Sequence, residues 1–445
     1  MDPVVALHPD APSTTSPHPP PDGGLAPDPV ATGGAGADDD ARTAAVLVGL
    51  LVATIPLATG YVLWAAPGGL DDWTRRVSAA PFDLVLLVIT GWVLLRPALL
   101  GDLFRRRAVQ VGTGALVAVS AVSLAAHPSW LGVAHGLRLL AGLAVLAALG
   151  RAFADPTARR GLLAAIAAVG TAQAVLGMVQ ATRGEAFGIE YLDYAGPLYP
   201  FGSSHAGRGG LTHPYHLAVL LVVAQGAALL GLRHRAGRSP LPWLLALSAI
   251  SAGIGVTYTR AGAIGQVALV AALLLGRADR RALLTAAAAI VVGLGIGGLA
   301  FGTGWLDRGA TTAGATGNID SDRSVRLAEA RELIEAEPLV GVGPGRYVDA
   351  LAATDREELL PAHNLLAHQA AELGLAGGAV TAGLLALLAL RVLRGGAWTA
   401  ALVVPVVPFL LLDAFPYVFA TGLAISAVWL GLVRASLEPV AEVDA

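Results

Sequence analysis

Residues 282–303, ALLTAAAAIVVGLGIGGLAFGT, contain no charged side chain. A bilayer core demands about 20 apolar residues at helical rise. Nothing in the stretch alternates as a barrel strand does, so a helix is the form that satisfies its backbone in lipid. Eleven further apolar stretches flank it, at about 43–65, 81–98, 108–126, 132–150, 161–182, 211–232, 241–258, 261–276, 374–393, 397–413 and 415–433. The fold this predicts is all-α: a polytopic integral membrane protein of about twelve transmembrane helices.

Composition agrees. Hydrophobic residues make up 55 % of the chain and charged residues 14 %, with mean hydropathy +0.66, whereas soluble domains carry roughly 25 % charged residues. The basic residues are all arginine, in keeping with a GC-rich genome, and they are scattered over loops. They form no stripe of the kind that binds nucleic acid, so no nucleic-acid partner is expected. The absence of cysteine excludes disulfides, thiol catalysis and cysteine-based metal sites.

Arginines mark every second loop: Arg96 and Arg105–Arg107, then Arg151, Arg159 and Arg160, then Arg233, Arg235 and Arg238, then Arg277, Arg280 and Arg281, then Arg391 and Arg394. By the positive-inside rule these loops face the cytoplasm, which puts both termini inside. Residues 1–42, rich in Pro, Gly, Ser and Thr, read as a disordered cytoplasmic tail that is not a signal peptide. Transmembrane helices 1–9 then occupy 43–303. One large extracytoplasmic loop containing helices spans 304–373, helices 10–12 span 374–433, and a cytoplasmic tail follows at 434–445. Trp64, Trp130, Trp243 and Trp398 lie near span ends, as interfacial anchors do.

Polar residues collect on the predicted outer face. The loop at about 183–210 holds Arg183, Glu185, Glu190, Tyr191, Asp193, Tyr194, Tyr199 and the run SSHAGRGGLTHPYH. The turn VTYTRAGAIG leaves Arg260 at the membrane edge. In the long loop, SVRLAEARELIEAEP reads as an amphipathic helix with Val325, Leu327, Leu333 and Ile334 on a common side. Pro338 ends that helix, and Gly341, Gly343 and Gly345 form a tight turn. His363 and Asn364 then precede a helix that carries Glu372 and Gly374 back into the membrane.

Three of these segments resemble the O-antigen ligase and O-antigen polymerase superfamily of bacterial membrane glycosyltransferases. They are RGGLTHPYHLA with Arg208, YTRAG with Arg260, and the pair EPLVGVGPGRY and HNLLAHQAAELGLAGG. The resemblance covers most of residues 43–433. It implies a GT-C-like architecture in the bacterial inner (plasma) membrane, with the active site on the extracytoplasmic face. The implied activity moves a glycan from a polyprenyl-diphosphate-linked donor to a hydroxyl of an acceptor glycan or glycolipid. It implies inversion, with no cofactor and no metal. By motif position His363 corresponds to the family's loop histidine, and Arg208 and Arg260 to its two key arginines.

The residues alone lead to compatible chemistry. Cleaving a sugar–diphosphate bond builds negative charge on the leaving oxygen, and guanidinium groups meet phosphate oxygens through a bidentate fork. The acceptor hydroxyl needs a base near neutral pH, which suits histidine. A helix N-terminus beside His363 disfavours a positive charge on the ring. Other readings stay open. His363 could cap its helix, and the two arginines could snorkel to headgroups. Arg138, inside the fourth span, needs either a diphosphate or a carboxylate partner. Glu372 either fixes the loop–helix junction or transfers protons. His213 and His216 make a poor metal site with no third ligand in sequence reach. The tyrosines could stack on sugars or anchor the interface. Glycines 293, 297, 298 and 302 read as close helix packing. A peptidoglycan-type polymerase, with an outer acid such as Glu335, Glu337 or Asp355 as base, and a polytopic transporter are the alternatives.

Overall fold

Proline and short polar caps set many of the helix starts. Proline lacks the N–H that a first turn leaves unsatisfied, and its φ is already helical. In the computed structural model, which describes residues 34–57, 61–67, 75–105, 107–187, 198–201, 204–235, 238–276, 279–314, 319–354, 359–412, 414–418 and 420–437, helix α1 spans Gly34–Thr54. A hairpin of β1 (Tyr61–Ala65) and β2 (Arg76–Ala79) follows, with Tyr61 opposite Ala79. Helices α2 (Pro81–Leu94) and α3 (Pro97–Leu103) both open on proline and meet at 94°. Next come α4 (Arg107–Ala126), α5 (Trp130–Ala154) and α6 (Pro156–Arg183). Ser129 Oγ caps α5 by accepting the Gly132 N–H at 2.9 Å. Asp155 caps α6 through the Ala158 N–H at 2.6 Å, and the left-handed Gly184 (φ 73°) closes that helix.

A second small hairpin, β3 (Tyr199–Phe201) and β4 (Ser204–Ala206), leads into α7 (Pro214–Arg233). Helices α8 (Leu241–Gly255), α9 (Arg260–Leu275) and α10 (Arg280–Gly314) complete the first part of the bundle. Then follow α11 (Ile319–Ala336), α12 (Tyr347–Ala352) and α13 (Leu365–Val403). Helix α13 is broken at Gly374 (φ 73°) and Gly396 (φ 72°). The chain closes with α14 (Val407–Leu411), α15 (Phe415–Val418) and α16 (Ala420–Ser436).

Helix α7 is the axis of the bundle. Its most apolar window is 94 % buried, against 33 % for α10 and 22 % for α13. The outer helices direct side chains such as Leu299 and Leu306 outward, as a surface bathed in lipid requires. Close helix approach is visible where α10 crosses α8: a Cβ on Gly293 would lie 2.1 Å from the Ser248 carbonyl oxygen. Gly298 and Gly302 have open space instead, so only Gly293 and Gly297 serve packing.

Each of the twelve apolar stretches contains helix among the described residues, but their lengths differ from expectation. Among the described residues, five helices are long and apolar enough to cross a bilayer: Trp130–Ala154, Pro156–Arg183, Pro214–Arg233, Arg280–Asp307 and Leu365–Val403. The bent α2–α3 pair makes a sixth if it counts as one span, and the apolar segments Gln110–Ala126, Leu241–Gly255, Arg260–Leu275 and Ala420–Ser436 are shorter. Residues 34–42, expected in the tail, form the first turns of α1, with Asp40 paired to Arg96 at 2.8 Å. Residues 61–65, expected in the first span, are a strand instead. Trp398 is 5 % exposed and packs in the core, so it is no interfacial anchor. On α11 the buried side chains are Arg326, Glu329, Ala330 and Leu333, while Val325 and Leu327 face outward. The Arg326–Glu329 pair, 3.1 Å apart, lets that face bury charge. The expectations for residues 1–33, for Glu190, Tyr191, Asp193, Tyr194 and Asp355, and for 438–445 fall outside the described residues.

The loops sort into two sets. At one end Arg75 reaches Asp349 (3.1 Å), Gly207 N–H donates to Val256 O (3.0 Å) and Asn364 Nδ2 to Leu411 O (3.4 Å). At the other, Arg151 donates to Ala37 O and Arg233 to Ser436 O (3.0 Å).

Candidate active site

The segment after α11 is built backbone against backbone. Gly341, Gly343 and Gly345 all have positive φ (67°, 105° and 68°), where glycine carries no steric penalty. The loop folds beneath the break at Gly374. Val342 N–H donates to Ala371 O (2.9 Å), Gly343 N–H to Glu372 O (3.0 Å), and Leu375 N–H to Pro338 O (2.9 Å). A Cβ on Gly341 would lie 2.3 Å from the Glu372 carbonyl carbon, and one on Gly374 2.3 Å from Leu339 O. Neither side of the crossing tolerates a side chain.

Glu372 is the pin of this junction. It is 1 % exposed, and its carboxylate accepts the Gly345 N–H at 2.8 Å and the Tyr347 N–H at 3.1 Å. His368, one turn earlier and also 1 % exposed, brings Nε2 to 3.3 Å from the same carboxylate. Ser123 Oγ donates to the Glu372 carbonyl at 2.9 Å, tying α4 to the crossing. Tyr347, His135 and Tyr417 enclose the pair: Tyr347 lies 4.7 Å from the His368 ring, and Tyr417 lies 4.1 Å from His135 and 5.9 Å from His368. Of the two roles open to Glu372, this geometry selects the positioning one.

His363 is half-buried just ahead of α13. Its preceding residue, Ala362, is fully buried among Ala330, Leu333, Tyr347 and Leu351. Its following residue, Asn364, caps α13 by accepting the Ala367 N–H at 3.0 Å, and its amide reaches Leu411 O. The imidazole is thus carried on a backbone held from both sides, and the cap is Asn364 rather than His363.

Arg208 sits on a turn clamped to α6. Gln180 Oε1 accepts the N–H groups of Arg208 (3.1 Å) and Gly209 (2.9 Å), and its Nε2 donates to Gly209 O (2.8 Å). Gln173 Oε1 accepts the Gly210 N–H at 2.8 Å. A Cβ on Gly207 would lie 2.2 Å from Gly177 O, so the turn can press onto α6 only without one. The Arg208 side chain is 1 % exposed, among the largest fully buried groups of the chain. Arg260, half-buried, opens α9 after Tyr258, whose φ of 49° is rare for a bulky residue. Tyr258 holds that conformation by packing edge-on to Trp305 (ring centroids 5.7 Å apart) and donating to Phe301 O at 3.3 Å. The Gly207–Val256 hydrogen bond joins the two arginine turns. Asn364 meets α14 at Leu411, and Phe409 of α14 accepts from Tyr215 Oη at 3.0 Å, at the start of α7. These contacts tie the segments bearing His363, Arg208 and Arg260 to one end of the bundle.

Two candidates take structural partners. Arg138 forms a two-pronged pair with Asp83 (2.9 and 3.1 Å) and donates to Ser78 O, the carboxylate partner that one of its two readings requires. His213 caps α7 by accepting the Tyr215 N–H at 3.0 Å, and His216 Nδ1 lies 3.1 Å from Thr212 Oγ1. Tyr199 packs edge-on against His213 with ring centroids 4.5 Å apart. Sequence reasoning missed His368, His135, Gln180 and Tyr417. The i, i+4 spacing of His368 and Glu372 on one helix face was the available signal for the first.

The fold and this junction define a polytopic helical membrane protein with the candidate residues His363, Arg208 and Arg260 carried toward one end of the bundle. Residues 244–382 match the family model described as O-antigen ligase, and the resemblance to the O-antigen ligase and polymerase superfamily rests on that match. No curated protein and no solved structure matches the chain. The match supports a membrane glycan-processing enzyme.

Proposed function

We propose that this protein transfers a glycan from a polyprenyl-diphosphate-linked donor to a hydroxyl of an acceptor glycan or glycolipid, on the extracytoplasmic face of the bacterial inner membrane. The observation that carries this reading is the O-antigen ligase match over 244–382, which takes in both the Arg260 turn and the His363 junction. Arg208 lies outside it and joins the proposal through the Gly207–Val256 hydrogen bond.

In this mechanism Arg208 and Arg260 hold the diphosphate and offset the charge that develops on the leaving oxygen. His363 takes the proton of the acceptor hydroxyl as that oxygen attacks the anomeric carbon. Attack opposite the departing diphosphate inverts the anomeric configuration, and no metal ion is required. The half-buried setting of His363 suits a group that must meet an acceptor. The Glu372 carboxylate is occupied by the Gly345 and Tyr347 N–H groups and faces His368, so these two residues position the loop on which the site rests. The test is a reconstituted assay with a polyprenyl-diphosphate oligosaccharide and candidate acceptors in proteoliposomes. A lengthened chain or a new conjugate is the expected product. Vectorial movement of the lipid-linked sugar without any new glycosidic bond would favour the transporter instead.

A further inference from the structure

A second polar feature lies toward the other end of α6, about 25 Å along that helix from the Gly177 contact of the Arg208 turn. There the start of α6, the end of α7 and the start of α8 line a half-open cavity of about 390 Å3. Arg160, Arg235, Arg238, His234 and Trp243 line it, and among the described residues no carboxylate does. The nearby Asp155 is committed to capping α6. Gly231 lets the Trp243 ring form a flat wall, because a Cβ there would lie 2.4 Å from the indole.

His234 is the telling residue. Its side chain is 7 % exposed, and among the described residues neither ring nitrogen has a hydrogen-bond partner. A buried imidazole left unpaired is costly, and native structures seldom keep one without a protein group, a water or a ligand to meet it. Burial, together with the Arg159 and Arg233 guanidinium groups, lowers its pKa to about 4. At neutral pH the ring is therefore uncharged and offers one N–H and one lone pair. The positive-inside rule explains arginines in this loop, but not the unpaired imidazole or the indole wall behind it.

We propose that this cavity is a binding site for a phosphate group, with Arg160, Arg235 and Arg238 meeting its oxygens and the His234 N–H completing the set. Guanidinium forks match phosphate oxygens in geometry and charge. The volume suits a headgroup or a small phosphate ester rather than a whole lipid. The site is separate from the proposed diphosphate site and stands without it.

The experiment uses the full chain purified in neutral detergent, with thermal unfolding followed by intrinsic fluorescence. One arm titrates inorganic phosphate against chloride at matched ionic strength. The other compares nanodiscs of phosphatidylglycerol with nanodiscs of phosphatidylcholine. The expected result is a saturable rise in Tm with phosphate, with phosphatidylglycerol, or with both. Response to phosphatidylglycerol alone identifies a lipid headgroup, and response to inorganic phosphate identifies a soluble anion. In the triple variant R160Q/R235Q/R238Q the apparent affinity should fall at least about tenfold. Because that variant could misfold, Arg238→Gln, at an exposed position, provides the second measurement, with a fall of about threefold or more. No rise in Tm in either arm, or an unchanged response in Arg238→Gln, overturns the proposal.

Discussion

Replacing Glu372 by glutamine changes one atom and should unseat the whole Gly341–Tyr347 crossing. The carboxylate accepts two backbone N–H groups and faces the His368 ring, all inside protein. Glutamine keeps one acceptor oxygen and turns an NH2 toward an N–H that then has no partner. The charge-assisted bond is worth about 1.5–3 kcal/mol, and the stranded donor costs about 1–3 kcal/mol. We expect a net loss of about 3–5 kcal/mol, the range measured when one member of a buried pair is removed. Hydrogen exchange followed by mass spectrometry reads it directly, in the peptide that contains Gly345 and Tyr347. An opening equilibrium shifted by that energy speeds exchange about 10²–10⁴-fold, and Tm in detergent should fall with it. Wild-type exchange in that peptide together with wild-type Tm would refute the pinning role.

His363→Ala should reduce transfer by about 10²–10⁴-fold while leaving Tm and membrane insertion intact, checked by product formation beside a thermal melt. Arg260→Lys keeps a charge but loses the fork, and should cut the transfer rate by about tenfold to a hundredfold. Arg138→Met removes one side of the Asp83 pair and should destabilise the fold by about 1–3 kcal/mol, while the remaining folded protein transfers glycan at the normal rate; a normal Tm with lost transfer would place Arg138 in the site. Transfer by purified protein should survive chelator treatment, and loss on chelation with rescue by a divalent ion would reopen the metal reading of His213 and His216.

Much of the helical plan is legible in the sequence because hydropathy records it residue by residue. The twelve apolar stretches find helices, and the helix stop at Pro338 and the glycine turn after it lie where local chemistry puts them. Local chemistry misleads where tertiary contacts decide. The apolar run at 61–65 is read as membrane span, but it pairs with 76–79 as a hairpin. Arg326 and Glu329 look like a solvated face until each is seen to cancel the other's buried charge. Hydropathy starts the tenth span at Gly374, and there the helix does change direction, although it begins nine residues earlier at Leu365. In the site, His363, Arg208 and Arg260 stand out through the motifs that carry the family resemblance, an arginine at a span end being common by itself. Gln180 and His135 do not, because a polar residue inside an apolar helix gives no sign of its partner across the bundle.

The central claim is that two guanidinium groups and one imidazole serve a single lipid-linked diphosphate. An electron cryo-microscopy map of the protein in nanodiscs with a polyprenyl-diphosphate oligosaccharide tests it most directly. The account predicts diphosphate density within hydrogen-bond reach of both Arg208 and Arg260, with the first sugar facing His363. Diphosphate density elsewhere in the bundle, with His363 remote from the sugar, would contradict it.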